Sequence, residues 1–508
     1  MKKLGICVSI CAKTAEEFIE SIKRARSVAD VIELRFDCLN EIKPEILWSQ
    51  IKQIRQNFNG KLLATFRPLE QGGSRNLTPA EREAFWIHSH VFEFVDWADL
   101  EADFSAEDIN KFWGKAFEKI IKSFHDFKTP PTNLDEIYNR ISAGSDLLKI
   151  AVRADDVTDS ISVWKLLARA KFDNKKLIPI AMGEAGKWTR ILSLAHGAPM
   201  TYASLETGKE TASGQIAAQD LIQTYRVKEL NEQTEIYGVV GNPVSHSLSP
   251  FMHNAGFKFH NLNAVYIPFE VKDLDEFVMK FVRVETRDVD INLKGFSVTF
   301  PHKEAIVKHL DYLDETAKAV GAVNTIKIEK GKLFGFNTDA EGFIVPLKNS
   351  YGDLRDARVA ILGAGGAARA AIYTLKNEGA DVTVFARNLD KTKKLAEEFR
   401  VQSSKLKAKT ESYRDFDIIV NATPLGTFGE FENKTPLLAA QIENIKLVYD
   451  LIYNPYETRL IKEAQKANVP TIGGLAMLLA QATKQFEIWT GKEAPIKAMN
   501  AVVLKKLS

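Results

Sequence analysis

The chain has 508 residues, of which 45% are apolar and 26% charged, the composition of soluble globular protein and a length that calls for about two to four domains. The net charge is only +2 and its signs are mixed along the chain. That balance gives neither a nucleic-acid footprint nor a membrane-binding face.

The N-terminus, MKKLGICVSI, starts like a signal peptide, but the apolar stretch stops at Ala12, and Lys13, Glu16 and Glu17 follow. No apolar run approaches the length of a membrane span. Three cysteines, Cys7, Cys11 and Cys38, form no CxxC pair and are too few for a disulfide framework. They are therefore expected reduced, in a cytoplasmic protein.

Up to about residue 225, short apolar runs alternate with amphipathic helical stretches. The expected strands are 5–10, 31–36, 61–66, 92–97, 119–124, 147–152, 177–182 and 201–206. Eight such units predict a (β/α)8 barrel. The competing doubly wound sheet usually has fewer strands and a Gly-rich first turn, which this half lacks. In a barrel, chemistry gathers at the C-terminal strand ends. Glu33 and Arg35 on the second strand, Arg67 after the third, His125 after the fifth and Lys149 on the sixth would share one mouth.

Lys149 lies in the otherwise apolar LLKIAV. Alone it reads first as a lysine whose stem snorkels to a carboxylate. The functional alternative is an amine whose pKa is lowered by desolvation and by Arg35 and Arg67, able to attack a ketone. His125 beside it would shuttle a proton, although a lone histidine more often satisfies a core hydrogen bond. Arg67 and Arg190 suit an anionic substrate. His88 and His90 have no evident third ligand, so no metal site is expected.

The motifs ELRFDCL (33–39), TFRPLEQGG (65–73), SFHDF (123–127), KIAV (149–152), AMGEAGKWTR (181–190) and TASGQ (211–215) resemble, in order, type I 3-dehydroquinate dehydratases. The resemblance implies a Schiff base between Lys149 and the ketone of 3-dehydroquinate, with His125 moving the proton beside it and helping water leave. It implies a pocket shaped by Glu33, Arg35, Arg67, Met182, Arg190, Thr211 and Gln215, with Arg190 on the carboxylate. The segment 207–214 would act as a lid. Many members have a glutamate before the Gly-Gly pair that orients the histidine; here it is Gln71, expected to do so by hydrogen bonding without charge.

A polar stretch, 226–235, is expected to link the barrel to a second α/β region that starts with the strand 236–241. A substrate-binding domain is expected over 236–340, completed by about 481–508, and a nucleotide-binding domain over 341–480. Serines two apart in GNPVSHSLSPFMHN (241–254) suit a carboxylate or hydroxyls, or an ordinary capping turn. Lys303 and Asp339 suggest an acid–base pair.

RVAILGAGGAARA (358–370) reads as a strand, a G-x-G-x-x-A turn and a small-residue helix, followed by the strand DVTVFA (381–386). That arrangement fits a dinucleotide fold whose amides face a pyrophosphate. No acid directly follows the second strand. Instead Arg387, Asn388 and nearby Lys391 favour a 2′-phosphate, hence NADP; otherwise Arg387 is a solvated turn residue.

With NATPLG (421–426), IYNP (452–455) and GGLAMLLAQATKQFEIWTG (473–491), these motifs resemble shikimate dehydrogenases. The resemblance implies that Ser247, Ser249, Thr299 and Asn324 bind 3-dehydroshikimate or shikimate, together with Thr338, Tyr453, Gln481 and Gln485. Lys303 and Asp339 would be catalytic. NADP would sit on Gly363, Ala364, Gly365, Gly366 and Ala367, with Arg387, Asn388, Lys391, Thr423 and Gly474 around it. Departures from the family pattern are Ala386-Arg387-Asn388 for Asn-Arg-Thr, Ser297 for Asn before Val-Thr, and Thr427 for Met. The alternatives are a second half that acts on quinate, one inactive half, a Schiff-base aldolase barrel, or a metabolite-binding regulator. The retained Lys149, His125, Lys303 and Asp339 argue against the regulator.

Overall fold

Alternating inward and outward side chains shape the N-terminal region into a parallel barrel. The computed structural model describes residues 4–104, 119–128, 132–143, 145, 147–405 and 412–507. It divides into two units: Met1–Ile236 with Pro243–Ser245 and Asn263–Asn292, and Tyr237–Asn242 with His246–Leu262 and Leu293–Ser508.

The first unit contains β1 (Gly5–Ile10), β2 (Val31–Arg35), β3 (Lys61–Thr65), β4 (Trp97–Glu101), β5 (Lys119–Asp126), β6 (Leu147–Arg153), β7 (Lys176–Met182) and β8 (Met200–Ser204). Their order is β7-β6-β5-β4-β3-β2-β1-β8, a nearly closed eight-stranded parallel barrel. The fourth strand corrects the sequence expectation: it is Trp97–Glu101, not 92–97, and residues 91–93 form a 3-10 turn. The apolar run Phe92-Glu93-Phe94-Val95 was the stronger lexical signal, while the true strand carries two acids. A second correction concerns the cysteines: Cys11 and Cys38 are joined by a disulfide, and only Cys7 is free.

The barrel interior follows the period of two. Its apolar floor includes Val31, Leu63, Trp97, Ile121 and Leu147. Two residues further along each of these strands stand Glu33, Thr65, Asp99, Ser123 and Lys149, all at most 4% exposed. Strand pleat alone therefore lifts the chain from a hydrophobic layer into a polar one.

The second unit holds five strands of a mixed sheet in the order β9 (Glu235–Gly241), β11 (Leu293–Val298), β13 (Thr325–Glu329), β14 (Lys332–Phe336) and β12 (Tyr312–Leu313). The intervening β10 (Ala264–Glu270) belongs to the first unit. A further sheet is wholly parallel: β17 (Gln402–Lys405), β16 (Asp381–Ala386), β15 (Arg358–Leu362), β18 (Ile418–Asn421), β19 (Leu447–Asp450) and β20 (Thr471–Ile472). Counted from β15 this is the 3-2-1-4-5-6 order of a dinucleotide-binding fold. Both of its faces are buried: Val359 and Ile361 point into one core, Ala360 and Leu362 into the other. Among the described residues, no helix is long and apolar enough to cross a membrane.

Candidate active sites

In the barrel, Lys149 emerges from β6 among charges rather than apolar neighbours. Its Nζ donates to Asp99 Oδ2 at 3.1 Å and lies 3.7 Å from Glu33 Oε1. Glu33 is itself held by Thr65 Oγ1 at 2.9 Å and Ser9 Oγ at 2.5 Å, and Asp99 by Ser123 Oγ at 2.5 Å. Arg67 closes the group, 2.8 Å from Asp99 and 3.5 Å from Glu101. Burial, aided by the Arg67 charge, lowers the Lys149 pKa below that of an ordinary lysine, although Asp99 and Glu33 pull the other way. Arg35 is tied down on the same cavity. Its guanidinium is gripped by Asp37 at 2.8 and 2.7 Å and donates to the Gly72 carbonyl at 3.1 Å.

His125 faces the same cavity, 6% exposed, and among the described residues neither ring nitrogen has a hydrogen-bond partner. Burial, then Arg67 and Lys149, keeps its pKa well below 6.5, so the ring is a neutral base at pH 7. The expected bond from Gln71 is not made: Gln71 Oε1 is buried and unpartnered. Arg190 also faces the cavity, and no carboxylate pairs with it among the described residues; burial pushes its pKa down to about 10. A buried guanidinium left without an anion is strongly disfavoured unless a ligand supplies one.

Glu33, Arg35, Arg67, Met182, Thr211 and Gln215 all line this cavity, as expected. Gln215 Nε2 donates to Thr211 Oγ1 at 3.0 Å and its Oε1 accepts the Thr211 amide at 2.7 Å, which folds the 211–215 turn over the mouth. Gly214, at φ +74°, comes so close to Gly183 that a Cβ would meet its carbonyl oxygen at 2.1 Å. Asp99 and Glu101 were missed, because β4 was placed five residues early. The signal lay in the spacing Trp97-Asp99-Glu101, which repeats the apolar-polar-polar pattern of Val31-Glu33-Arg35.

In the second unit, Lys303 Nζ donates to Asp339 Oδ2 at 2.5 Å. Asn324 Nδ2 braces the other carboxylate oxygen at 2.8 Å and lies 3.0 Å from Thr338 Oγ1 and 3.3 Å from Gln481 Oε1. Four residues expected on separate motifs thus meet around Asp339. Gln485 is 1% exposed and donates to the Asn324 carbonyl at 3.2 Å and Thr325 Oγ1 at 2.9 Å, bracing the group from behind. Ser247 Oγ accepts the Ser249 amide at 3.3 Å as the helix Ser249–Phe259 begins. Thr299 follows β11, tied by its amide to the Val240 carbonyl at 2.9 Å, and Tyr453 lies in the loop after β19.

The Gly-rich turn follows β15. Gly363 has φ +120°, and a Cβ there would stand 2.6 Å from the Ala422 carbonyl oxygen, so only glycine allows the turn to touch the loop after β18. Ala364, Gly365, Gly366 and Ala367 lead into the helix Gly366–Asn377. A Cβ on Gly366 would lie 3.1 Å from Lys303 Cδ, which sets the turn against the acid–base pair. Arg387 and Lys391 are exposed, and Asn388 caps the helix Leu389–Phe399 through the Lys391 amide at 3.0 Å. Lys391, Lys394 and Arg369 line a cavity beside Ala364. Thr423 is held by Asn421, and Gly474 donates to the Ile452 carbonyl at 3.1 Å. Among the described residues, no cluster of His, Cys, Asp and Glu has a metal-binding arrangement.

Residues 6–232 match the family model for type I 3-dehydroquinase. Residues 239–326 match the shikimate dehydrogenase substrate binding domain, 347–429 shikimate/quinate 5-dehydrogenase and 474–504 the shikimate 5'-dehydrogenase C-terminal domain. One relative spans both halves: the chloroplastic bifunctional 3-dehydroquinate dehydratase/shikimate dehydrogenase of Arabidopsis thaliana, 32% identical over 96% of this chain and 82% of its own length. The chain belongs to that bifunctional family. Its second half is 43% identical to the NADP(+) shikimate dehydrogenase of Methanopyrus kandleri, over 55% of this chain and 98% of that protein. It also resembles a shikimate dehydrogenase solved in complex with NADP+, at TM-score 0.50 and 39% identity, covering 55% of this chain and 98% of the other.

Proposed function

We propose that the chain dehydrates 3-dehydroquinate to 3-dehydroshikimate in its barrel and reduces that product to shikimate with NADPH in its second unit. The observation that carries the first step is a buried lysine with a lowered pKa beside an unpartnered histidine and an arginine lacking an anion. The Lys149 amine adds to the ketone and expels water, forming an imine. That imine acidifies the neighbouring C–H, and neutral His125 takes the proton. The resulting imidazolium returns a proton to the hydroxyl on the next carbon, which leaves as water. Hydrolysis of the imine frees the unsaturated ketone and restores Lys149. Arg190 supplies the counter-charge for the substrate carboxylate.

In the second unit, Gly363–Ala367, Thr423, Gly474, Arg387, Asn388 and Lys391 are the residues that would hold NADP. The fit rests on the backbone approach at Gly363 and on the basic chains beside the turn. When bound, NADPH supplies hydride to the ketone carbon. Lys303 gives the carbonyl oxygen its proton, and Asp339 and Asn324 keep the ammonium aimed. Ser247, Ser249, Thr299, Thr338, Tyr453 and Gln481 orient the carboxylate and hydroxyls.

Borohydride reduction in the presence of 3-dehydroquinate tests the barrel chemistry directly. Peptide mapping should find the adduct on Lys149; an adduct elsewhere, or none in an active enzyme, would refute the imine.

A further inference from the structure

Asp450 ends β19 fully buried, at 0% exposure, and among the described residues no cation pairs with it. Burial pushes its carboxyl up to about 6, against hydrogen bonds from Thr458, Ile452 and Asn421 that lower it, so at pH 7 it is a carboxylate that only accepts. A buried carboxylate without a cation is costly and is an unusual way merely to fill space.

Its three donors come from three different places. Thr458 Oγ1, at the N-terminus of the helix Arg459–Lys466, donates at 2.6 Å. The Ile452 amide, at the head of the loop carrying Tyr453, donates at 3.1 Å. Asn421 Nδ2, its neighbour across the β18–β19 pairing, donates at 2.9 Å. Asn421 Nδ2 donates to the Leu425 carbonyl as well, at 3.2 Å, so Asp450 and that carbonyl together hold the amide nitrogen on their side and leave Asn421 Oδ1 facing the other way. That oxygen takes both the amide and the hydroxyl of Thr423, at 3.1 and 2.7 Å. The next residue after Asn421 is Ala422, whose carbonyl stands against Gly363 of the dinucleotide turn.

We propose that Asp450 is a positioning residue that holds the Thr423 loop for NADP through the Asn421 amide and the Tyr453 loop for the substrate through the Ile452 amide. The proposal rests on reading this unit as an NADP-dependent dehydrogenase. Reduction of 3-dehydroshikimate by the wild-type chain tests that reading separately.

The variants are Asp450→Ala, Asp450→Asn and Asn421→Asp, each in the full chain. Dehydration of 3-dehydroquinate by the barrel serves as an internal standard for active protein. The readouts are the Kd of NADPH by fluorescence titration, KM and kcat for 3-dehydroshikimate, and the melting profile. Asp450 Oδ1 takes both the Asn421 and the Ile452 donors, and Oδ2 takes Thr458. Asp450→Ala removes both oxygens, so the NADPH Kd and the KM should each rise about tenfold, the usual cost of one lost buried partner. Asp450→Asn keeps an oxygen at the Oδ1 place and turns its amide to Thr458 Oγ1, so its Kd and KM should stay within a few-fold of wild type. Wild-type Kd and KM in Asp450→Ala would overturn the proposal, and so would an Asp450→Asn as weak as Asp450→Ala. Should Asp450→Ala fail to fold, Asn421→Asp decides, because it keeps an acceptor for Thr423 and changes the group that meets Asp450: an NADPH Kd raised about tenfold supports the proposal, and a wild-type Kd overturns it.

Discussion

The proposed mechanism places Lys149 and Lys303 in separate sites, so their effects should separate cleanly. Lys149→Ala should lower dehydration of 3-dehydroquinate by about ten-thousand-fold or more while leaving reduction of supplied 3-dehydroshikimate unchanged. Lys303→Ala should do the reverse, costing the reduction about 10²–10⁴-fold in kcat. Both lysines were legible from sequence, because a charged residue inside or just beyond an apolar strand stands out. The state of their partners was not: Arg35 is paired with Asp37, and Gln71 does not reach His125. Acid sensitivity also follows at this scale. His253 is fully buried, and burial pushes its imidazole down to about 3 although its hydrogen bond to Gln485 acts to raise it. The unfolded chain takes up that proton near 6.5, so stability is complete above that value and falls as pH drops toward 3. At about pH 5.5 this histidine's contribution has fallen by about 1.3 kcal/mol relative to pH 7. Asp450, raised to about 6, gains stability over the same window, so the histidine's share is read by denaturant unfolding at the two pH values as the difference between wild type and His253→Gln.

At the level of elements, β4 shows what pattern reading misses. A strand that presents Asp99 and Glu101 to a barrel interior has no apolar run to announce it, and the more apolar 92–95 segment drew the strand to the wrong place. Its contribution is testable through Asp99, whose carboxylate raises the Lys149 pKa. Asp99→Asn should shift the rising alkaline limb of dehydratase kcat to lower pH, because the neutral amine then forms earlier; a limb moved upward would contradict the assignment. The turn over the mouth is equally specific. Gly214→Ala forces a Cβ into the Gly183 carbonyl at positive φ and should cost about 2 kcal/mol of local stability, read as a raised KM for 3-dehydroquinate. The dinucleotide unit was easier to foresee, since its Gly-rich turn and following strand are contiguous in sequence. The convergence of Asn324, Thr338, Asp339 and Gln481 is not: it joins positions up to 157 residues apart.

Across the whole molecule, composition predicted three reduced cysteines, whereas the fold brings Cys11 and Cys38 together at the ends of neighbouring strands. Only the tertiary structure puts residues 27 apart within bonding reach. Thiol titration of unreduced, denatured protein should therefore find one free thiol per chain, and three after reduction. The two-enzyme organisation was readable because each half keeps its own strand rhythm and its own family motifs. The central claim is that these halves act in series, and one reaction tests it most directly. Purified chain is given 3-dehydroquinate and NADPH together, and NADPH loss is followed alongside product identity. The account predicts shikimate equal to the NADPH consumed, none from Lys149→Ala, and recovery when that variant receives 3-dehydroshikimate. Quinate as the product, or NADPH loss that persists in Lys149→Ala with 3-dehydroquinate alone, would contradict it.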